Sequence, residues 1–221
     1  SRQVDNSFIK QSYPFEDQRK LGSFIAGRFG YDLERGRIDL APHPFTTSFG
    51  AGDVRITTRF LDTDGMSALF STMHETGHAL YDQGLDPKYH ETSLGQAASY
   101  AIHESQSRLW ENLVGRSREF CGFAFPVMQM LFPQHLGNVS LEQFYRGINR
   151  VEPSLIRVEA DEATYNLHIM LRFEIETGLL EGSLQARDLP EIWNTRMQEY
   201  LGLTPPDDSR GVLQDVHWSS G

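Results

Sequence analysis

The chain has 221 residues, and 20 basic against 30 acidic residues give it a formal net charge of −10. This acidic balance argues against nucleic acid or an anionic membrane as a partner, since both are polyanions. With 39% apolar and 11% aromatic residues, the chain can bury a sizeable core, which excludes wholesale disorder. A single cysteine, Cys121, excludes an internal disulfide framework and indicates a reducing compartment.

No apolar run approaches the roughly 20 residues that a membrane span requires, and the N-terminus lacks the layout of a secretory signal. The sequence therefore predicts a soluble, cytoplasmic protein. No repeat or convincing linker divides it, which predicts one compact unit over residues 1–221. The chain opens on Ser1 without an initiator Met and stops on the run HWSSG, so we expect it to be a piece of a longer protein.

Two elements are predicted in the first 60 residues. Residues 13–30 carry apolar side chains at helical spacing and close at Gly30, as an amphipathic helix does. Residues 36–60 are punctuated by Gly and Pro, and from Val54 to Phe60 every second side chain is apolar or β-branched, as in a half-buried strand. This alternation predicts a small β-hairpin or edge sheet near residues 36–60.

Helical spacing dominates the rest of the chain. Apolar residues recur at intervals of three and four between Asp64 and Gly84, which predicts a helix with Asp64 as its N-cap and Gly84 as its C-terminal stop. Further helices are predicted over residues 95–115, 123–132, 141–149, 154–180 and 188–201. These helices against one short β segment predict a mainly α protein.

The strongest motif is the HExxH sequence formed by His74, Glu75 and His78, inside the helix that follows Asp64. One helical turn separates the two histidines, so both imidazoles can reach one metal ion, and Glu75 stands beside them to hold a water molecule. The alternative is a pair of surface histidines. Since chance gives about 0.02 such matches in a chain of this composition, we favour a metal site.

A catalytic zinc takes three protein ligands, so a third residue must come from elsewhere. The downstream candidates are Glu91, His103, Glu104 and Glu111. Glu104 lies in the predicted helix 95–115, where a carboxylate packed across the HExxH helix can complete a site of two His and one Glu. Spacing does not separate Glu104 from His103, and an ion pair with Arg108 is the alternative role of Glu104.

The predicted helix 154–180 carries a line of polar side chains at spacings of three and four. Its members are Arg157, Asp161, Tyr165, His168 and Arg172. Such a line suits a peptide-binding groove, because an Arg binds a carboxylate bidentately and an Asp orients a His. It suits an ion-paired surface equally well, and spacing alone leaves both interpretations open.

As a set, these residues resemble the carboxypeptidase Taq family of metallocarboxypeptidases. The resemblance rests on six ordered blocks: HPF at 43–45, DVRITTR at 53–59, HETGHALYDQG at 74–84, HESQSRLWEN at 103–112, RVEADEATYNLHIMLRFEIE at 157–176 and GVLQDVHW at 211–218. It implies a mainly α, helical zincin-like fold of saddle architecture with a long groove. It also implies metal-dependent removal of C-terminal residues from peptides by cytoplasmic homodimers.

By position, the resemblance implies that His74, His78 and Glu104 are the metal ligands and that Glu75 is the catalytic base. It implies that His217 steadies the developing oxyanion. His43 and Arg55 fall in blocks that line the groove in this family.

A carboxypeptidase also needs a cation for the free carboxylate of its substrate, and Arg157 and Arg55 are the candidates. The cofactor is expected to be one divalent ion, zinc first, with cobalt or manganese as alternatives. Two alternative functions stay open: a metal-binding fragment that is inactive without its flanking segments, and an endopeptidase or aminopeptidase with the same metal site.

Overall fold

The computed structural model describes residues 4–214 and Trp218. Internal contacts divide the chain into two compact units, Ser1–Ile148 and Asn149–Gly221, and each is described by itself. The interpretation of residues 1–221 as one catalytic core stays a prediction. Within the described residues, no helix combines the length and the apolar character that crossing a membrane requires. The described chain is mainly helical with one three-stranded sheet, which confirms the predicted fold class.

The first unit opens with helix α1 (Phe15–Phe29), which lies inside the predicted range 13–30. Leu21 and Ile25 bury the apolar face of α1 in the core. Gly30 ends the helix in a left-handed conformation with φ of 104°, and its N–H donates to backbone carbonyls of the last turn. A residue with a side chain would be strained at that φ, which explains why the helix stops there.

The sheet has three short strands, β1 (Ile38–Leu40), β2 (Thr46–Ser48) and β3 (Val54–Thr58). β3 is central, antiparallel to β2 and parallel to β1. The sheet predicted near residues 36–60 is therefore confirmed, with a parallel strand added to the hairpin. Val54 and Ile56 are fully buried on the face that packs against helix α2 (Ser67–Gln83).

Helix α2 carries the HExxH sequence and packs against α1, β3 and the following helix, α3 (Tyr100–Arg108). Asp64 precedes α2, and its carboxylate accepts hydrogen bonds from the backbone N–H groups of Met66 and Ser67, both at 3.0 Å. Gly84 ends α2 as predicted. The helix predicted over 95–115 begins five residues late, at Tyr100, and continues as the π-helical turn Leu109–Val114.

The first unit is completed by α4 (Arg118–Leu131), the short α5 (Pro133–Leu136) and α6 (Leu141–Ile148). Its core contains Phe8, Ile25, Met73, Phe125, Met128, Phe132 and Phe144. Since the apolar sides of α1, α2, α4 and α6 meet there, the outer side of α2 is left to present polar groups.

The second unit is built on α7 (Tyr165–Leu180) and α8 (Leu189–Leu201), which pack around Leu171, Ile175, Trp193 and Met197. The helix predicted over 154–180 is wrong for residues 154–164, because α7 begins at Tyr165. The carboxylate of Asp161 accepts the N–H groups of Ala163 and Thr164 at 2.8 and 3.0 Å, and this local bonding replaces a preceding helical turn. The predicted polar line therefore does not follow one helix.

Candidate metal centre

His74 and His78 lie one turn apart on α2, with ring centroids 5.0 Å apart. Glu104 reaches them from α3, and its Oε2 lies 3.2 Å from Nε2 of His78 and 3.6 Å from Nε2 of His74. Among the described residues, these three form the one group of at least three His, Cys, Asp or Glu side chains with ligand atoms within 4.8 Å of one another. The structure thus brings together the three predicted ligands.

The spacing of these atoms can be tested against a tetrahedral ion. Zinc binds imidazole nitrogen and carboxylate oxygen at about 2.0–2.1 Å, which separates two ligand atoms by about 3.3 Å. The observed separations of 3.2 and 3.6 Å bracket that value. Two Nε2 atoms and one carboxylate oxygen also match the donor set of zinc peptidases. The residues present therefore fit one divalent ion.

Glu111 lies directly behind His74. Its Oε2 is 2.9 Å from Nδ1 of His74, and it is held there by Arg108, whose Nη1 donates to the same oxygen at 3.1 Å. A carboxylate that accepts from Nδ1–H leaves the lone pair on Nε2, which is the atom that faces Glu104. Glu111 is a candidate ligand in the sequence, and the structure places it against Nδ1 of His74, away from the nitrogen that faces Glu104.

Glu104 is itself fixed by two neighbours on α3. Arg108 donates from Nε to Oε1 at 3.2 Å. The Ser107 hydroxyl shares its hydrogen between the backbone carbonyl of Glu104 at 2.7 Å and Oε2 at 3.0 Å. The predicted ion pair with Arg108 thus exists together with the position beside the histidines, because each uses a different oxygen. Burial raises the pKa of Glu104, but a hydrogen bond with His78 and the charges of His74 and Arg108 outweigh it and lower the pKa to about 2.

The pKa of His74 is shifted upward, opposite to the downward shift of Glu104. Burial alone would lower its pKa, yet the hydrogen bond with Glu111 and the charges of Glu111, Glu104 and Glu75 raise it above the ordinary value. Burial would likewise raise the pKa of Glu111, and His74 with the nearby arginines lowers it. The carboxylates of this cluster thus favour positive charge at His74 even in the metal-free protein, and the same negative charges would attract a divalent ion.

Glu104 gives the metal-free protein a measurable acid sensitivity. Its pKa of about 2, against an ordinary 4.5, means that its charged form contributes stability above pH 4.5. That contribution is lost as the pH falls towards 2. We expect the stability difference between the unsubstituted protein and Glu104→Gln to shrink between pH 5 and pH 3 in urea unfolding. The exposed Glu119→Gln serves as the control, and a difference for Glu104→Gln that is constant with pH would contradict the assignment.

Glu75 is buried beside the cluster, with 6% of its surface exposed. The hydroxyl of Thr46, on strand β2, donates to its Oε2 at 2.6 Å. The same hydroxyl lies 3.1 Å from the backbone carbonyl of Glu75, so its single hydrogen is shared between two oxygens of this residue, with the shorter contact to Oε2. One carboxylate oxygen is thereby occupied, and the orientation of the other is fixed. Sequence reasoning missed Thr46, although it directly follows the HPF block.

The carboxypeptidase Taq (M32) metallopeptidase family model matches residues 1–221, the whole chain. The chain belongs to this family.

Curated M32 relatives share close to half of their aligned residues with this chain. Thermostable carboxypeptidase 1 of Thermus thermophilus is 50% identical over 220 residues, which cover 100% of this chain and 43% of the relative. Carboxypeptidase 1 of Bacillus subtilis is 45% identical over 217 residues, covering 98% of this chain and 43% of the relative. This M32 chain therefore spans less than half the length of these relatives.

Solved M32 structures agree with the fold. The M32 carboxypeptidase crystal structure from Deinococcus radiodurans R1 matches with a TM-score of 0.93 at 49% identity, over 97% of this chain and 43% of that chain. The carboxypeptidase structure from Pyrococcus furiosus, described as Apo-Mg, matches with a TM-score of 0.92 at 43% identity, over the same shares. The mainly helical M32 fold is thus confirmed for this chain.

The other residues predicted for the M32 site are placed as follows. Arg55 is exposed on β3, where its guanidinium pairs with Asp53 at 2.7 and 2.8 Å. His43 is exposed between β1 and β2. Arg157 belongs to the second unit and donates to the hydroxyl of Tyr165 at 2.8 Å. His217 lies outside the described residues.

The two remaining candidates for the third ligand, Glu91 and His103, lie outside the group formed by His74, His78 and Glu104. Glu91 is exposed and has a backbone φ of 63°. His103 lies against the far side of His78, with its Nδ1 2.6 Å from Nδ1 of His78 and its Nε2 3.0 Å from Oδ1 of Asp82. Both ring nitrogens of His103 are therefore engaged away from the point where His74, His78 and Glu104 converge.

Gly77, inside the HExxH sequence, lets α2 and α3 touch. A Cβ on this glycine would lie 2.5 Å from the backbone oxygen of Gln106 and 2.6 Å from Cα of Ser107. Both are backbone atoms that move only with α3, the helix that carries Glu104. An added methyl group would therefore push apart the two helices that supply the three clustered side chains.

We expect Gly77→Ala to destabilise the protein by about 1–3 kcal/mol, the usual cost of overpacking, and to weaken metal binding. Urea unfolding and metal titration measure the two effects. Gly27→Ala is the matched control, because it lies within α1 and has no atom within 4 Å of an added Cβ. Its stability should be unchanged or raised by about 0.4–1 kcal/mol. Equal behaviour of the two variants would contradict the close approach at Gly77.

Proposed function

We propose that this chain carries the metal centre of a carboxypeptidase that hydrolyses C-terminal residues from peptides. The observation that carries the proposal is the convergence of His74, His78 and Glu104, with Glu75 buried and hydrogen-bonded beside them. The relatives named carboxypeptidases supply the reaction class. Because the chain spans less than half their length, the proposal concerns the protein of the relatives' full length.

His74, His78 and Glu104 would hold one divalent ion. We propose zinc, with cobalt and manganese as alternatives that accept the same imidazole and carboxylate donors. Such an ion, when bound, polarises the scissile carbonyl and lowers the pKa of water towards 7. Glu111 and Arg108 orient His74 and Glu104 for that task, and they do so before the ion arrives.

Glu75 acts as the general base and then as the general acid. Thr46 occupies its Oε2, so Oε1 is the atom that accepts a proton from the attacking water and returns it to the leaving amine. Burial of Glu75 keeps bulk water from competing for that oxygen. The hydrogen bond from Thr46 also prevents the carboxylate from rotating away from the reacting groups, which favours a fixed proton path.

Substrate recognition is proposed for residues outside the cluster. His217 would donate to the oxyanion that develops on the scissile carbonyl. Arg157, Arg55 and His43 are the proposed contacts for the substrate, with an Arg binding its free carboxylate. Since Arg55 is already paired with Asp53, a substrate carboxylate would have to compete with that pair. The proposed partners are peptides and, at full length, a second copy of the chain in the cytoplasm.

A peptide blocked by amidation at its C-terminus tests the reaction class. We expect a chain of the relatives' full length to shorten the free peptide from its C-terminus and to leave the amidated peptide intact, as followed by mass spectrometry. Cleavage of the amidated peptide inside its sequence would indicate an endopeptidase, and loss of N-terminal residues would indicate an aminopeptidase. Bound metal without any hydrolysis would indicate a binding function alone.

A further inference from the structure

His103 forms a bridge between His78 and Asp82, all within the first unit. Its Nδ1 lies 2.6 Å from Nδ1 of His78, and its Nε2 lies 3.0 Å from Oδ1 of Asp82. The ring of Tyr81 rests against His103 with a centroid separation of 5.0 Å, which restrains the plane of the imidazole. The side chains of His103 and Asp82 are only 20% and 14% exposed. His78, His103 and Asp82 are therefore linked in a row by two hydrogen-bond contacts.

The two short contacts restrict where the protons can lie. Of the facing Nδ1 atoms of His78 and His103, one must carry a hydrogen and the other must accept it. If His103 carried it, the neutral ring of His103 would turn a lone pair towards the carboxylate of Asp82, and two acceptors would meet at 3.0 Å. If His78 carries it, His103 accepts at Nδ1 and donates from Nε2 to Asp82. Of these two arrangements of a neutral His103, only the second gives both of its contacts a donor and an acceptor.

That arrangement decides which nitrogen of His78 is free. With the hydrogen on Nδ1, the lone pair of His78 lies on Nε2, which faces the carboxylate of Glu104 at 3.2 Å. These two acceptors then need a cation between them, in place of the hydrogen that joins them in the metal-free protein. With the hydrogen on Nε2, His78 would present a donor to the cluster and would be unable to bind a cation there. Asp82 therefore acts on His78 through His103, by favouring the tautomer of His78 that a metal ion needs.

We propose that His103 and Asp82 are positioning residues that set the tautomer of His78 for metal binding. The proposal rests on the proposed metal centre and extends it to two residues that do not touch the ion. The two histidines are then oriented differently: His74 donates directly to a carboxylate, Glu111, whereas His78 donates to a neutral imidazole. This places the charge of Asp82 one ring farther from a cluster that already contains Glu75, Glu104 and Glu111.

Helical spacing explains how so few residues achieve this arrangement. His78 and Asp82 are one turn apart on the same side of α2, and the ring of His103 enters between them from α3. The next residue of α3 is Glu104, so one dipeptide supplies both a direct ligand and the residue that orients another ligand. The proposal thereby gives His103 a role other than that of third ligand.

The tautomers can be observed directly in the unsubstituted, zinc-loaded chain by long-range ¹H–¹⁵N NMR of the imidazoles. We expect a hydrogen on Nδ1 of His78 and, in His103, a hydrogen on Nε2 with an unprotonated Nδ1. A hydrogen on Nδ1 of His103, in either its neutral or its doubly protonated form, would overturn the proposal. This measurement needs no variant and so does not depend on the folding of one.

Zinc affinity, measured by competition with a chelator, tests the same point. We expect His103→Ala and Asp82→Ala to bind zinc about 10–100-fold more weakly. His103→Asn should retain more affinity than His103→Ala, because its side-chain oxygen can accept from Nδ1–H of His78. His90→Ala, an exposed histidine of the same unit, is the control. Unchanged affinity in His103→Ala would overturn this proposal alone, whereas an unsubstituted chain that takes up no zinc would overturn the metal centre as well.

Discussion

Glu75→Gln is expected to remove nearly all peptide hydrolysis while leaving the metal content unchanged. Gln is close in size to Glu and can still accept the hydrogen bond from Thr46. It cannot accept a proton at neutral pH, so the transfer from water to the leaving amine is lost. General acid and base catalysis contributes about 10²–10⁴-fold, and we expect a fall in kcat of at least that size.

The measurement combines kcat on a free peptide with metal analysis of the same sample, in a chain of the relatives' full length. Glu119→Gln, on the exposed first turn of α4, controls for the loss of one carboxylate. Thr46→Val should give an intermediate loss, because Glu75 keeps its carboxylate but loses its orientation. Substantial turnover by Glu75→Gln, with metal bound, would show that another group acts as the base.

Glu104→Ala and His74→Ala are expected to lose metal affinity by more than about 100-fold. Each removes one of three converging atoms, and the remaining two side chains cannot complete the three protein ligands that a catalytic zinc takes. Partners that only orient a ligand typically contribute about 10–100-fold, which sets the lower bound for a true ligand. Chelator competition on the 221-residue chain measures the effect without any need for catalysis.

Glu111→Gln provides the graded comparison for that experiment. It removes a charge behind His74 but keeps an oxygen that can accept from Nδ1, so we expect a smaller loss than for the two ligand variants. Circular dichroism of each metal-free variant establishes that it is folded. Full metal retention by Glu104→Ala would remove Glu104 from the ligand set, and equal losses in all three variants would remove the distinction between Glu104 and Glu111.

The HExxH spacing alone predicted that His74 and His78 lie side by side on one helix, and the structure has them 5.0 Å apart between ring centroids. His74 and His78 face one way because helical geometry fixes their separation, and α2 followed the predicted range closely. Glu104 could not be separated from His103 in the same way. Adjacent residues on one helix point about 100° apart, so the choice depends on how α3 crosses α2, which no local pattern records.

The contacts of Thr46 and Glu111 could not be predicted from the sequence, because they too depend on how distant segments pack. Thr46 contacts Glu75 across 29 positions, and Glu111 contacts His74 across 37. Such pairs arise from the packing of a strand and a π-helical turn against α2. For residues 154–164 the sequence pattern predicted too much. The side chains have helical spacing, but Asp161 accepts hydrogen bonds from the backbone just ahead of α7, and the helix begins only at Tyr165.

The close contact between α2 and α3 at Gly77 also determines how a bound ion would affect the stability of this unit. The three converging side chains belong to two helices that are joined by a long, largely exposed segment. An ion held between His78 and Glu104 would act as a reversible cross-link that closes this loop. Like any ligand that binds only the folded state, it would add stability in proportion to the logarithm of its free concentration. The segment between α2 and α3 should therefore become more resistant to proteases as the metal concentration rises.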